Sequence, residues 1–227
     1  QMKKSFLLVI FILFQISILF SQSVGFSYFI PRNGYFSNPI APLNFSMPIN
    51  AGNYLQISPG IGMMSVGGLS LVDLPDSYSA KTPLVGPFQT VEFNILVALS
   101  LPINKIKISA QGGAFMYYGF NQKFISGNFD RSIAETQNFQ AVFSNVDFKK
   151  HGLGGGYIYG GKLTYRLSKK LSVYAGLNYY SGKQKYPISG NFTAYTSADT
   201  KASGNFKFDN SRIDYSGFMI LFGVVNQ

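Results

Sequence analysis

The chain contains no cysteine, so no disulfide holds it together and no thiolate is on hand for chemistry or for a lipoprotein-type signal. It has no tryptophan and a single histidine. Charge is scarce too: Asp, Glu, Lys and Arg make up 12% of residues, about half the usual ~25% of soluble domains. Beyond the N-terminus no apolar run approaches the ~20 residues that a membrane-spanning helix needs. Yet 46% of the chain is hydrophobic and 16% aromatic, all of it Phe and Tyr. The apolar surface must therefore be spread over many short segments.

Those segments alternate. Val91, Phe93, Ile95, Val97, Leu99 and Leu101 fall on one face, and Thr90, Glu92, Asn94, Ala98 and Ser100 on the other. Ile106, Ile108, Ala110, Ala114 and Met116 are likewise opposed to Lys107, Ser109, Gln111 and Gly113. A period of two is the mark of a strand with one apolar and one polar face. On this basis strands are expected over residues 24 to 32, 42 to 49, 54 to 65, 88 to 102, 105 to 120, 153 to 167, 170 to 182 and 211 to 225. The connections Asn50 to Asn53, Ile103-Asn104 and Ser168-Lys169 are short and rich in turn formers. The others, over 33 to 41, 66 to 87, 121 to 152 and 183 to 210, are long. An even number of strands joined by short and long links in strict alternation predicts an all-β, eight-stranded antiparallel up-and-down transmembrane β-barrel, with short periplasmic turns and long extracellular loops.

The N-terminus fits an exported protein. Lys3 and Lys4 precede an apolar run from Phe6 to Phe20, and Ser21-Gln22-Ser23 supplies the small-x-small pattern of a signal peptidase site. Residues 1 to 23 read as a cleaved signal peptide and residues 24 to 227 as one outer-membrane barrel domain. Without Lys3 and Lys4, 17 basic residues remain against 9 acidic ones, a net charge of +8. Nucleic acid is not expected as a partner of an exported chain. Loop lysines beside a membrane instead suit the phosphates of outer-membrane glycolipid.

The interior of so narrow a barrel is filled by side chains. Glycine is frequent at its inward positions: Gly60, Gly62, Gly113, Gly154, Gly156, Gly160 and Gly176. The large inward residues would be Gln56, Glu92, Lys107, Gln111, Lys162, Arg166, Tyr174, Tyr180 and Asp214, and charge in a dry interior calls for pairing. Glu92 with Lys162 is the expected pair. Tyr117-Tyr118, Tyr157, Tyr159, Tyr165 and Tyr179-Tyr180 lie toward strand ends, where aromatic girdles sit. Pro31, Pro48 and Pro59 interrupt their strands and imply bulges or shifted boundaries. In the largest loop, Ser132-Ile133-Ala134-Glu135 has capping-box spacing, with Asp130 as a competing N-cap, for a short helix over roughly residues 131 to 142.

Catalytic chemistry has little to stand on. His151 lies at the outer end of the sixth strand with Ser144 and Asp147 nearby in sequence. Nucleophile and base would have to meet within hydrogen-bond reach, as in a lipid hydrolase or acyltransferase. A solvated loop histidine is the simpler reading. No metal-ligating spacing occurs, and Gly152 to Gly156 with Gly160-Gly161 sits in a strand with no nucleotide-loop motif. No catalytic, metal or cofactor-binding residue is assigned, and no cofactor is expected.

Taken as a pattern of strands, turns and loops over residues 24 to 227, the chain resembles the small eight-stranded outer-membrane barrels, the class of OmpX and the OmpA transmembrane domain. The resemblance implies an envelope protein of a Gram-negative outer membrane with variable surface loops. The function expected is non-enzymatic: loop residues Lys123, Arg131, Lys149 and Lys150, with Phe124, Phe129, Phe139, Phe143 and Phe148, contact glycolipid or another envelope protein. The alternatives are an accessory subunit of an outer-membrane transport or secretion complex, a lipid-modifying enzyme, and a secreted soluble β-barrel or sandwich.

Overall fold

The computed structural model describes residues 22–35, 43–196 and 200–226. The apolar N-terminal run therefore lies outside the described residues. Barrel strands are β1 (Gln22–Pro31), β2 (Leu43–Ser46), β3 (Leu55–Val66), β4 (Phe88–Ile103) and β5 (Ile106–Phe120). After them come helix α1 (Ser126–Gln137), strand β6 (Ala141–Phe148), barrel strands β7 (Gly152–Arg166) and β8 (Leu171–Lys185), strands β9 (Ile188–Tyr195) and β10 (Lys201–Phe208), and the closing barrel strand β11 (Gly217–Asn226).

Each barrel strand pairs antiparallel with its sequence neighbour, and β1 pairs with β11 from Gln22↔Asn226 to Pro31↔Gly217, which closes the sheet. Closure leaves no edge strand, the condition for a sheet to cross a membrane. Cleavage after Ser21 would leave β1 whole, whereas cleavage after Ser23 would remove two of its paired residues.

The alternation decides which face meets lipid. Along β4, Phe93, Ile95, Val97, Leu99 and Leu101 are exposed while Glu92, Asn94, Ala98 and Ser100 are buried. Phe26, Ile61, Met63, Ile108, Leu163, Leu177 and Phe222 extend the exposed apolar belt around the barrel. Water would penalise such a surface heavily; hydrocarbon does not. Tyr118, Tyr157, Tyr159 and Tyr165 are on this outer face; Tyr118 and Tyr165 lie toward strand ends, as a girdle requires, whereas Tyr157 and Tyr159 lie mid-strand. Tyr117 and Tyr180 are not: both point inward and are almost wholly buried.

Two of the three strand prolines act on the ladder. Between β2 and the short paired segment Ile49–Ala51, Met47-Pro48 breaks the strand, and the Met47 N–H donates to the carbonyl of Pro59 at 2.9 Å. Pro59 itself stays in register opposite Ile95. A missing donor is tolerated there because the neighbouring strand is interrupted at the same level. The last strand is likewise interrupted: Arg212–Asp214 pairs with β8 and with Leu71–Val72 before β11 begins at Gly217.

The connections over 121 to 152 and 183 to 210 carry regular structure among the described residues. β9 pairs with β6 on one side and β10 on the other, a three-stranded sheet built from the long loops that the sequence predicts over 121 to 152 and 183 to 210. Its alternation is masked by Gly, Ser and Asn, residues that ordinarily signal turns. α1 packs against β6 and against a single 3₁₀ turn at Asp76–Tyr78. It starts at Ser126, five residues before the expected position, and ends on Asn138 in the left-handed conformation. Its N-cap, Ile125, makes no side-chain cap bond. The capping box does not form because the earlier start puts both candidate caps inside the helix, where each bonds elsewhere. Ser132 Oγ donates to the Ser79 carbonyl at 2.6 Å, and Asp130 Oδ1 accepts the Ser144 N–H at 3.0 Å.

Candidate functional site

The lumen has two regions. Toward the tight turns it is polar: Gln111 Nε2 donates to Asn178 Oδ1 at 2.7 Å, and Ser100 and Ser109 share a hydrogen bond of 2.8 Å. Gln56 bonds to Asn50 at 2.9 Å. A cavity of about 50 Å³ opens among Asn44, Asn94, Gln111, Lys162 and Asn178, room for more than one water by the ~10–15 Å³ criterion. Toward the long loops the lumen is aromatic. Tyr215 stacks on Tyr117 at 4.3 Å and on Phe29 at 5.0 Å, while Phe115 meets Tyr180 edge-on at 4.8 Å.

Glycines on neighbouring strands make space for these rings. A Cβ on Gly154 would run into Tyr117, one on Gly182 into Phe115, and those on Gly25 and Gly223 into the Tyr174 hydroxyl. These four glycines are thus sockets for inward aromatics, whereas Gly60 and Gly62 make room for Asn94 and Asn44. Tyr215, Phe29 and Phe115 are interior residues that the sequence reading misses. The available signal is, for Phe29, its place in alternation with buried neighbours and, for Phe115, its position opposite Gly156 on the next strand.

Glu92 sits at the boundary between the two regions. Its Oε1 accepts from Asn94 Nδ2 at 2.9 Å and from the Tyr180 hydroxyl at 3.0 Å. The expected pair with Lys162 is not made. The strand ladders carry Lys162 to the level of Ser109 and thence Ser100, eight residues along β4 from Glu92. Its ammonium lies over the Tyr174 ring at 5.5 Å instead.

The remaining lumen candidates are spread out. Lys107 is half-buried at the level of Thr164, while Arg166 is exposed at the rim and donates to the Asn104 carbonyl at 3.3 Å. Asp214 is half-buried at the opposite end, in register with Lys183, with its N–H bonded to the Ser70 carbonyl at 3.0 Å. The ion pairs among the described residues are Asp73 with Lys183 (3.9 Å) and Arg212 (3.7 Å), and Asp209 with Lys207 (3.3 Å). None involves Glu92, Lys107, Lys162, Arg166 or Asp214.

Above the aromatic layer the long connections form a cap with its own core. Phe129 and Ile133 of α1 are fully buried. Phe129 meets Phe206 at 5.3 Å and Phe124 at 5.4 Å, Phe148 lies 5.9 Å from Tyr186, and Tyr78 lies 4.9 Å from Phe208. Phe139 lies 6.4 Å from Phe192. Of the five loop phenylalanines put forward as contact residues, four are thus engaged in cap packing. Phe143 alone is largely exposed, at 65%, against the edge of Tyr195. Burial pushes the Tyr186 phenol well above its ordinary range. Burial likewise raises the Asp130 carboxyl against the opposing pull of its bond from Ser144.

The four loop cations are all exposed, and they occupy different settings. Arg131 lines a polar groove with Lys81, Glu135 and Thr136. Lys149 borders a depression that it shares with Asp147 and Asp209. Lys123 and Lys150 stand where the cap joins the barrel, tied through their carbonyls to the Gly86 and Gln122 N–H groups. His151 is exposed and stacks on Tyr118 at 6.5 Å. Among the described residues no hydrogen bond joins it to Ser144 or Asp147, so the apposition a nucleophile needs is not formed.

No family model matches the chain, and no curated protein matches it. Solved structures do. The outer membrane protein OprG from Pseudomonas aeruginosa is 13% identical, with 91% of this chain and 94% of that one covered, at a TM-score of 0.50. A major outer membrane protein from Thermus thermophilus is 13% identical over 91% and 98%, with a TM-score of 0.44. Ail, the attachment invasion locus protein of Yersinia pestis, is 10% identical over 91% and 94%, with a TM-score of 0.42. At such identities OprG bears on the fold alone. Closed sheet, apolar outer belt and this likeness together give the chain the fold of a small eight-stranded outer-membrane β-barrel, resident in the outer membrane and crossing it with strands.

Proposed function

We propose that this is a non-enzymatic envelope barrel of a Gram-negative bacterium whose extracellular cap binds the phosphate groups of outer-leaflet glycolipid. The observation that carries it is where the cations lie relative to the membrane. β7 enters the barrel at Gly152 and β8 leaves it at Lys185, so Lys123, Lys149, Lys150 and Lys185 lie at the base of the cap, the level that this reading gives to the headgroups. Such cations each gain about 1 kcal/mol near an anionic surface. The lumen supports a binding role over a transport role, because aromatic rings fill its outer half.

The test is reconstitution of the barrel in bilayers with phosphorylated or dephosphorylated glycolipid, followed by native mass spectrometry. Lys123→Gln/Lys149→Gln/Lys150→Gln should lose retained phosphorylated glycolipid while keeping its heat-dependent shift on SDS gels. Equal retention by the triple variant would refute the reading. A second reading, contact with a protein partner, is favoured by one feature: exposed Phe143 packs on Tyr195 toward the end of the cap sheet farther from the barrel.

A further inference from the structure

The opposite mouth of the barrel carries a second cluster. Lys107 and Thr164 are cross-strand neighbours, and so are Arg166 and Ser172. All four line a recess of about 100 Å³ at the tight-turn end, together with Asn104 and Lys105. No carboxylate among the described residues borders it. Among the described residues neither Lys107 nor Arg166 is in an ion pair, and the Arg166 guanidinium spends one donor on the Asn104 carbonyl, leaving the rest of its five N–H groups for a ligand.

Ser172 supplies the independent observation. It is 0% exposed, and among the described residues its hydroxyl has no hydrogen-bond partner. A buried hydroxyl is normally satisfied, and one that is not calls for an explanation. Here it borders a recess flanked by two cations. A strand-borne Ser on a lumen wall needs no polar group for packing, so a ligand atom is the economical partner.

We propose that the periplasmic mouth binds a phosphate-type oxyanion, whose oxygens accept from the Arg166 guanidinium, the Lys107 ammonium and the Ser172 hydroxyl. The guanidinium fork matches two oxygens of a phosphate or phosphodiester, and the ammonium adds a point charge. At about 100 Å³ the recess is several times the ~10–15 Å³ that admits one water, enough for a tetrahedral oxyanion. Deeper in the lumen Lys162, which among the described residues also lacks an acidic partner, extends the positive field that draws an anion to this end. Free phosphate and the phosphodiester of a periplasmic-leaflet phospholipid share this chemistry, and the recess is within reach of both.

The experiment is calorimetric titration of the refolded full barrel, in a phosphate-free detergent and chloride buffer, with inorganic phosphate and separately with dihexanoyl phosphatidylglycerol. At least one should bind saturably. Lys107→Gln/Arg166→Gln should weaken binding more than tenfold, Ser172→Ala should weaken it several-fold, and the cap variant Lys207→Gln should bind as wild type. Binding of inorganic phosphate identifies a free anion as ligand; binding of the lipid alone identifies a headgroup. If the double variant fails to fold, Arg166→Gln, at an exposed rim position, decides the matter in its place. Saturable binding of neither probe, or wild-type affinity in the folded charge variant, overturns the proposal.

Discussion

Glu92 separates two accounts of a buried carboxylate. If it were held as the anionic member of an ion pair, Glu92→Gln and Glu92→Ala would be comparably damaging, since breaking a buried pair typically costs ~3–5 kcal/mol. The structure points elsewhere: one carboxylate oxygen accepts both the Asn94 amide and the Tyr180 hydroxyl. Gln retains an acceptor oxygen at that place, so Glu92→Gln should cost little, within about 1 kcal/mol. Ala leaves two buried donors without their acceptor, at about 1–3 kcal/mol each, or about 2–6 kcal/mol in all. The measurement is equilibrium urea unfolding of the refolded barrel in lipid vesicles, followed by circular dichroism and by heat-dependent gel mobility. Equal destabilisation by the two variants would show that charge, and not acceptor geometry, is what the lumen requires.

Two further expectations concern the cap. Phe129→Ala removes a fully buried ring that contacts Phe124 and Phe206; the cost, about 3–5 kcal/mol by core precedent, should fall on the cap alone. Limited proteolysis should then cut between β5 and β7 while the heat shift of the barrel persists, and loss of the shift would show that cap and barrel fold as one unit. Burial raises the Asp130 carboxyl above its ordinary range, so its contribution to cap stability is fully present below that range and is lost as pH rises through the raised value. Asp130→Asn, which keeps an acceptor for the Ser144 N–H, should therefore stabilise the cap at neutral pH and lose that advantage in acid; protection of cap amides from hydrogen exchange would measure both, and an unchanged difference across pH would refute the assignment.

Much of the barrel was legible because a membrane makes period-two alternation nearly obligatory. Once one face must be apolar and every backbone group paired, β4 and β5 can scarcely be read another way, and the tight turns at Asn104 and Ser168 follow. The same logic placed Glu92, Gln111 and Lys162 on the inner face. It did not pair them. Which inward residue meets which depends on ladder register and on the sockets that glycines open, and a sequence pattern holds neither: Lys162 turns to Tyr174, and Tyr180 goes to Glu92 rather than to the girdle.

The cap was the least legible region for a related reason. It has no lipid to enforce alternation, so its strands are written in Gly, Asn and Ser as much as in Phe, and α1 takes its boundaries from packing on Tyr78 and β6 rather than from a capping box. The buried, unpartnered hydroxyl of Ser172 belongs to the same class of fact. By itself the sequence determined the strand faces and the tight turns, because hydrophobic transfer acts residue by residue. Only the tertiary structure decided the company each inward side chain keeps, because cross-strand contact is a property of register and closure, which join residues far apart in the chain.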